Sequence, residues 1–203
     1  MLSRAIVWAA IGFLLGAMPI SPWLVRLATG DDIRRYGDGN PGGANAWRAG
    51  TWRLGLPAVL LDFAKAAVPV SLARFRVGIT GPGLVAVALA PLLGHAFSPF
   101  LGFRGGKAVA ATVGMWSGLT LWEAPTVLGI CFALLTWLQS VDGWSVALGM
   151  LGLLLYLLLR RAGADLLAVW VLNFALLMWK HRAALRQPPR LRPRILRLLG
   201  RQR

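Results

Sequence analysis

Long runs without charge dominate this chain and restrict what it can become. Ala5 to Val25 is a 21-residue stretch bounded by Arg4 and Arg26. A helix rising 1.5 Å per residue needs about 20 apolar residues to cross the hydrocarbon of a bilayer. A secretory signal would have a shorter apolar region followed by a small-residue cleavage site, so the run reads as a retained helix. Six more runs follow: Leu54 to Ala73, interrupted by Asp62 and Lys65; Val77 to Phe97; Ala108 to Trp122; Ala124 to Val141; Gly143 to Leu159; and Leu166 to Trp179. The runs at 108–122 and 166–179 are short for a crossing and need flanking residues or a thinned bilayer. The expected fold is an all-α integral membrane protein of about seven transmembrane helices, forming one membrane-embedded domain over residues 1–203.

Composition supports the membrane reading. Hydrophobic residues make up 57% and charged residues only 14%, whereas a soluble domain of ordinary size carries about a quarter charged. The charges present are mostly basic, 22 Lys and Arg against 7 Asp and Glu. A nucleic-acid binder also shows a basic excess, but not in so apolar a chain, so no nucleic-acid partner is expected. The single cysteine, Cys131, lies in an apolar run and reads as a small buried hydrophobe.

Seven crossings put 27–53, 98–107 and everything after Trp179 on one side. That side holds Arg34, Arg35, Arg48, Arg53, Arg104, Lys107 and nine basic residues from Lys180 to Arg203, against Arg4, Arg74, Arg76, Arg160 and Arg161 opposite. Cytoplasmic loops collect Lys and Arg, so the N-terminus is expected outside and the C-terminus in the cytoplasm. Residues 184–203 then form a basic cytoplasmic tail lying against anionic headgroups. Trp23, Trp122, Trp144 and Trp179 fall near the ends of runs, where indoles favour the interface.

Three polar islands interrupt the membrane composition, all on the side assigned to the cytoplasm. The first, Tyr36 to Arg48, contains Asp38, Gly39, Asn40, Gly42 and Asn45. Glycines and asparagines ahead of an arginine suit a loop that bares backbone N–H groups to an oxyanion, with Arg48 closing over it; the same residues also suit a plain turn-rich loop. The second, Gly94 to Lys107, places His95, Arg104, Gly105, Gly106 and Lys107 at a membrane boundary. Lys107 opens an apolar run, so its ammonium sits near a helix start, where phosphates bind. His95 is either a catalytic imidazole or a satisfied interfacial one. The third, Lys180-His181-Arg182, ends the last run, and cations there also have a structural explanation through the helix dipole. Asp62 and Lys65, three residues apart within a span, can pair on one helix face. The chain shows no nucleophilic serine elbow, no Cys/His couple and no carboxylate cluster for a metal. Chemistry carried by cations and backbone dipoles, without cofactor or covalent intermediate, suits these residues.

The three islands, in this order and on one face, resemble the bacterial acyl-phosphate:glycerol-3-phosphate acyltransferase family over nearly the whole chain. The family's first motif, Ser-Gly-Asn-x-Gly-Ala-Thr-Asn followed by Arg, is matched at Gly39, Asn40, Gly42, Asn45 and Arg48. The second, Gly-His-x-Phe-Pro-Val-Phe and then Gly-Gly-Lys-Gly-Val-Ala-Thr, is matched at Gly94, His95, Phe97, Phe100, Gly105, Gly106, Lys107, Val109 and Ala110. The third survives as His181 and Arg182. Asp38 stands where the family has serine, Ala44 and Ala111 where it has threonine, Ala108 where it has glycine and Ala184 where it has asparagine.

The resemblance implies transfer of an acyl group from acyl-phosphate to the 1-hydroxyl of glycerol-3-phosphate, giving lysophosphatidic acid and phosphate. It implies that Arg48, Lys107 and His95 serve the reaction. Asp38, Gly39, Asn40, Gly42, Asn45, Arg104, Gly105, Gly106 and His181 would line the substrates, with membrane lipid as the surroundings. Either a substrate phosphate or His95 takes the hydroxyl proton. A carboxylate at position 38 is expected to repel a phosphate beside it.

Overall fold

The computed structural model describes residues 2–198; the last tail residues, Arg201 and Arg203 among them, lie outside that range. The described residues form nine α-helices joined by short connections. Five stretches are long and apolar enough to cross a membrane: 2–29, 43–76, 81–101, 142–159 and 164–185.

The first run is two helices. α1 (Leu2–Ala17) ends at Met18-Pro19, and α2 (Ile20–Thr29) follows, with Pro19 outside the helical region. Proline has no N–H to donate and crowds the preceding turn, so an apolar run that looks continuous in composition breaks there. Gly30 closes α2 in the left-handed conformation, its N–H returning to the Arg26 carbonyl at 2.9 Å.

α3 (Gly43–Ser71) starts inside the first polar island, so Asn45 and Arg48 lie on helix where a loop was expected. The helix is interrupted at Gly50 and Thr51, whose backbone angles are not helical, so its first two turns form a separate segment. A wide five-residue turn, Leu72–Arg76, ends it. α4 (Gly81–Ala96) opens with Pro82 in its first turn, where the missing N–H costs nothing. α1 lies along α4 so closely that a Cβ at Gly94 would overlap the Phe13 carbonyl. Glycine contacts of this kind let helix backbones approach in a membrane, where lipid removes the hydrophobic incentive to associate.

α5 (Val109–Thr120) is only 12 residues long and α6 (Glu123–Leu138) only 16. At 1.5 Å per residue α5 spans about 18 Å, short of the hydrocarbon thickness. α7 (Asp142–Leu159) and α8 (Ala164–Leu185) complete the bundle, followed by the short α9 (Pro193–Leu198). α5 sits in the middle: Trp116, Met115 and Leu119 are fully buried, packed with Met150, Leu153 and Leu157 of α7 and Leu177 of α8. Asn173 of α8 crosses this core, accepting from Trp116 Nε1 at 3.1 Å and donating to Thr112 Oγ1 at 3.0 Å. Thr112 is thereby committed to the core and does not replace the hydroxyl missing at Ala111. Cys131 is half-buried on α6, where a Cβ at Gly152 of α7 would come 2.7 Å from its Sγ.

The tail is bound to the bundle. Leu191 pairs with Gln139, Trp144 Nε1 donates to the Gln187 carbonyl at 2.8 Å, and Arg192 Nε donates to the Thr136 carbonyl at 2.7 Å. Part of the basic tail thus caps the last carbonyls of α6, a helix-end role beside the expected headgroup one.

Candidate active site

The first island reaches the site through a tight series of turns. Asp32 caps the short helical turn Ile33–Arg35 through the Arg34 N–H, and Gly37 and Gly39 then take positive φ. At Gly37 a side chain is excluded for a second reason, because a Cβ would overlap the Asn45 amide oxygen. The backbone thus wraps around Asn45, which is 1% exposed at the start of α3.

Asp38 is the hub of this loop. Its Oδ1 accepts from Asn45 Nδ2 at 2.9 Å and from the Asn40 N–H at 3.2 Å; its Oδ2 accepts from Lys107 Nζ at 2.5 Å. Asn45 also donates to the Asn40 carbonyl at 2.9 Å and accepts from Arg48 Nη1 at 2.6 Å. Partial burial works to raise the Asp38 pKa, but the hydrogen bond from Lys107, the Asn40 N–H and the Asn45 amide outweigh it and bring it down to about 2. The donors that suit an oxyanion therefore already hold one, the protein's own carboxylate. The carboxylate expected to repel a phosphate is thus paired with Lys107, the cation that the sequence reading gives to that phosphate.

The second island supplies Lys107 from below. The chain leaves α4 at Phe97 and turns through Pro99–Leu101, where Ser98 Oγ donates to the Ala17 carbonyl at 2.5 Å. It then returns so that the Gly106 N–H donates to the His95 carbonyl at 3.0 Å. A Cβ at Gly105 would overlap that carbonyl, and one at Gly106 would overlap the His95 imidazole. The glycine pair is therefore needed for close approach. Ala108 follows with φ of 62° and opens α5. His95 itself is buried behind this turn.

The two islands enclose a cavity of about 470 Å³. Arg34, Arg104, Lys107, Lys180 and Arg182 line it around the one carboxylate, with Gly39, Asn40 and Gly105 as backbone wall and Phe97, Phe103 and Trp179 as the apolar side. A basic pocket with an apolar margin at a membrane boundary can hold phosphate groups whose acyl chains remain in lipid.

Not every sequence candidate reaches the cavity wall. Asp38, Gly39, Asn40, Arg104, Gly105 and Lys107 do. Asn45 and Arg48 stand behind it, Arg48 exposed and bonded to Asn45. Gly42, His95 and Gly106 do not line it. His181 is buried in α8 with Nδ1 2.9 Å from the Leu177 carbonyl. Its neighbour Lys180, which sequence reasoning counted with the tail charge, does enter. Lys180 Nζ donates to the Ala96 carbonyl at 2.9 Å and the Gly105 carbonyl at 3.0 Å, over the Phe97 ring. It ties the end of α8 to the glycine turn. Its place at the head of the third island was the available signal.

The sequence and the fold have counterparts among known proteins. A family model described as glycerol-3-phosphate acyltransferase matches residues 6–188. A glycerol-3-phosphate acyltransferase of Thermotoga maritima is 37% identical over 191 residues, covering 87% of this chain and 94% of the relative. One of Desulfovibrio desulfuricans is 37% identical over 185 residues, covering 87% of this chain and 78% of the relative. The crystal structure of PlsY, an integral membrane glycerol 3-phosphate acyltransferase, in its glycerol 3-phosphate form superposes with a TM-score of 0.82 at 25% identity, covering 98% of this chain and 94% of that one. The lysophosphatidic acid form of PlsY superposes with a TM-score of 0.80 at 24% identity. A match that runs from the first helix to just beyond the last long one shows that the chain belongs to the glycerol-3-phosphate acyltransferase family.

Proposed function

We propose that this protein transfers an acyl group from acyl-phosphate to the 1-hydroxyl of glycerol-3-phosphate, releasing lysophosphatidic acid and inorganic phosphate. The observation that carries the reading is the meeting of Asp38 and Lys107, 69 residues apart, at one basic cavity. Lys107 and the Gly39-Asn40 backbone hold the glycerol-3-phosphate phosphate, with Arg48 fixing Asn45 from behind. Arg104, Lys180 and Arg182 face the phosphate of the donor, whose acyl chain passes over Phe97, Phe103 and Trp179 into the bilayer.

The acceptor hydroxyl oxygen forms the new bond to the acyl carbon as the bond from that carbon to the phosphate oxygen breaks. The departing phosphate takes the hydroxyl proton, since His95 lies behind the glycine turn and outside the cavity wall. Holding both substrates in line and neutralising the charge that develops supply the rate.

The cavity lies on the side richer in Lys and Arg, which supports an N-terminus outside and a cytoplasmic site and tail. Seven crossings then follow if α1 with α2 make one, and α5 and α6 make two short ones. The setting is the inner membrane of a bacterial cell.

Purified protein supplied with acyl-phosphate and glycerol-3-phosphate should release phosphate and form lysophosphatidic acid, and Lys107→Ala should lose that turnover. Wild-type protein that forms no lysophosphatidic acid sinks the proposal.

A second reading keeps acyl transfer but changes the acceptor. The Asp38–Lys107 pair favours it, since a carboxylate in the acceptor pocket suits a hydroxyl or cationic group. Comparing acceptors for wild type and Asp38→Ser decides: an unchanged preference for glycerol-3-phosphate rules the second reading out.

A further inference from the structure

A buried carboxylate outside the cavity makes contacts that a structural ion pair alone does not require. Asp62, in α3, is 2% exposed. Its Oδ1 lies 2.7 Å from Lys65 Nζ, and its Oδ2 accepts from Ser21 Oγ at 2.8 Å. Lys65 also donates to the Met18 carbonyl at 3.0 Å, at the break between α1 and α2. Charges buried in membrane helices are costly and persist where they are paired or functional. Pairing accounts for Asp62 and Lys65.

His95 remains to be explained. Its Nδ1 is buried, makes no hydrogen bond among the described residues and faces Asp62 Oδ1 at 3.6 Å. The opposite ring nitrogen, Nε2, lies against Gly106, where a Cβ would overlap it. The His95 carbonyl accepts from the Gly106 N–H. The imidazole is thus wedged between a carboxylate in α3 and the turn whose next residue is Lys107.

We infer that Asp62 is a positioning residue for acyl transfer: it sets the tautomer and orientation of His95, and through His95 the Gly106 backbone that aims Lys107 into the cavity. An ionised carboxylate opposite Nδ1 favours the proton on that nitrogen and leaves the Nε2 lone pair toward the glycine turn. Ser21 and Lys65 hold the carboxylate, so α2, α3 and α4 are locked together directly beneath the site. The inference rests on the acyl-transfer reading of the cavity.

The chain has two histidines, which makes a direct measurement possible. Nitrogen-15 histidine spectra of the full-length protein, with the His95 signal assigned by its persistence in His181→Gln, report the tautomer. The Nδ1–H form is expected for His95; the Nε2–H form in otherwise wild-type protein overturns the inference, and needs no variant at position 62.

Kinetics give the second arm. Asp62→Leu combined with Lys65→Met removes both charges together, so neither remains buried alone. The pair of substitutions should lower kcat/KM for glycerol-3-phosphate roughly tenfold or more, with part of the loss in a raised KM, since the misaimed Lys107 holds that phosphate. In a His95→Gln background the same change should have little further effect. Equal losses in both backgrounds mean that Asp62 does not act through His95, and overturn the inference. Absence of lysophosphatidic acid formation by wild type would instead sink the function reading, while the tautomer result still decides the role of Asp62.

Discussion

Lys107 Nζ lies 2.5 Å from Asp38 Oδ2, so the cation expected to hold a substrate phosphate is already bonded to a carboxylate of the same chain. The pair is part-exposed on both sides, where ion pairs are weak and exchange readily with a competing anion. An anion entering the cavity can therefore take the position, but against competition.

Replacing the competitor should tighten substrate binding. Asp38→Ser frees Lys107 and removes a negative charge beside the phosphate. KM for glycerol-3-phosphate should fall about five- to tenfold, the size of one lost unfavourable charge contact near the surface. Steady-state kinetics in detergent or vesicles check this; an unchanged or higher KM contradicts it.

The low pKa of Asp38 has a signature in stability. Because the folded value, about 2, lies below the ordinary carboxylate value of 3.8, ionised Asp38 stabilises the fold above about pH 4, and that contribution is lost as pH falls toward 2. Melting temperatures of wild type and Asp38→Asn should therefore differ by a constant amount above about pH 4 and converge below it. A difference that persists unchanged to pH 2 contradicts the assignment.

Lys180 should matter more than a tail charge does. Lys180→Met keeps the apolar stem but leaves the Ala96 and Gly105 carbonyls without their donor, a loss of about 1–3 kcal/mol for buried acceptors. The glycine turn loosens, and kcat should fall at least roughly tenfold. Arg186→Met, in the tail beyond α8, provides the control and should leave turnover near wild type.

Ala108 holds a left-handed backbone, φ 62°, where its Cβ crowds the following carbonyl. Ala108→Gly should relieve about 1 kcal/mol and raise the apparent melting temperature by a few degrees. Thermal unfolding followed by tryptophan fluorescence checks it; a lower melting temperature would show that the strain is absent.

Much of the candidate cavity's lining is legible along the chain because its residues come in short local patterns. Gly39, Asn40, Gly105 and Lys107 stand out as a glycine-rich, cationic interruption of apolar sequence, and all four line the cavity. Lys180 was harder to read, since a cation at the end of a membrane helix has an ordinary topological explanation. What it binds, carbonyls 75 and 84 residues away, has no trace in its neighbours. The helix break at Pro19 and the exact ends of α5, whose run already reads as short, were obscured by a different cause. Hydropathy responds to composition, whereas a break depends on a missing N–H, and the helical ends of the run 108–122 depend on backbone angles at Ala108 and Leu121.

Solvent and the kind of chemistry are readable along the chain. Apolar runs with few charges call for a bilayer, because only lipid and helix packing can cover them, and glycine loops beside cations suit an anion. Which cation meets which anion depends on how the helices pack. Asp38 and Lys107 are 69 residues apart, and their pairing exists because α3 and α5 pack side by side and bring the loops before them together. A residue pattern records what each segment can bind; the contacts between distant segments, set by packing, choose among the partners available.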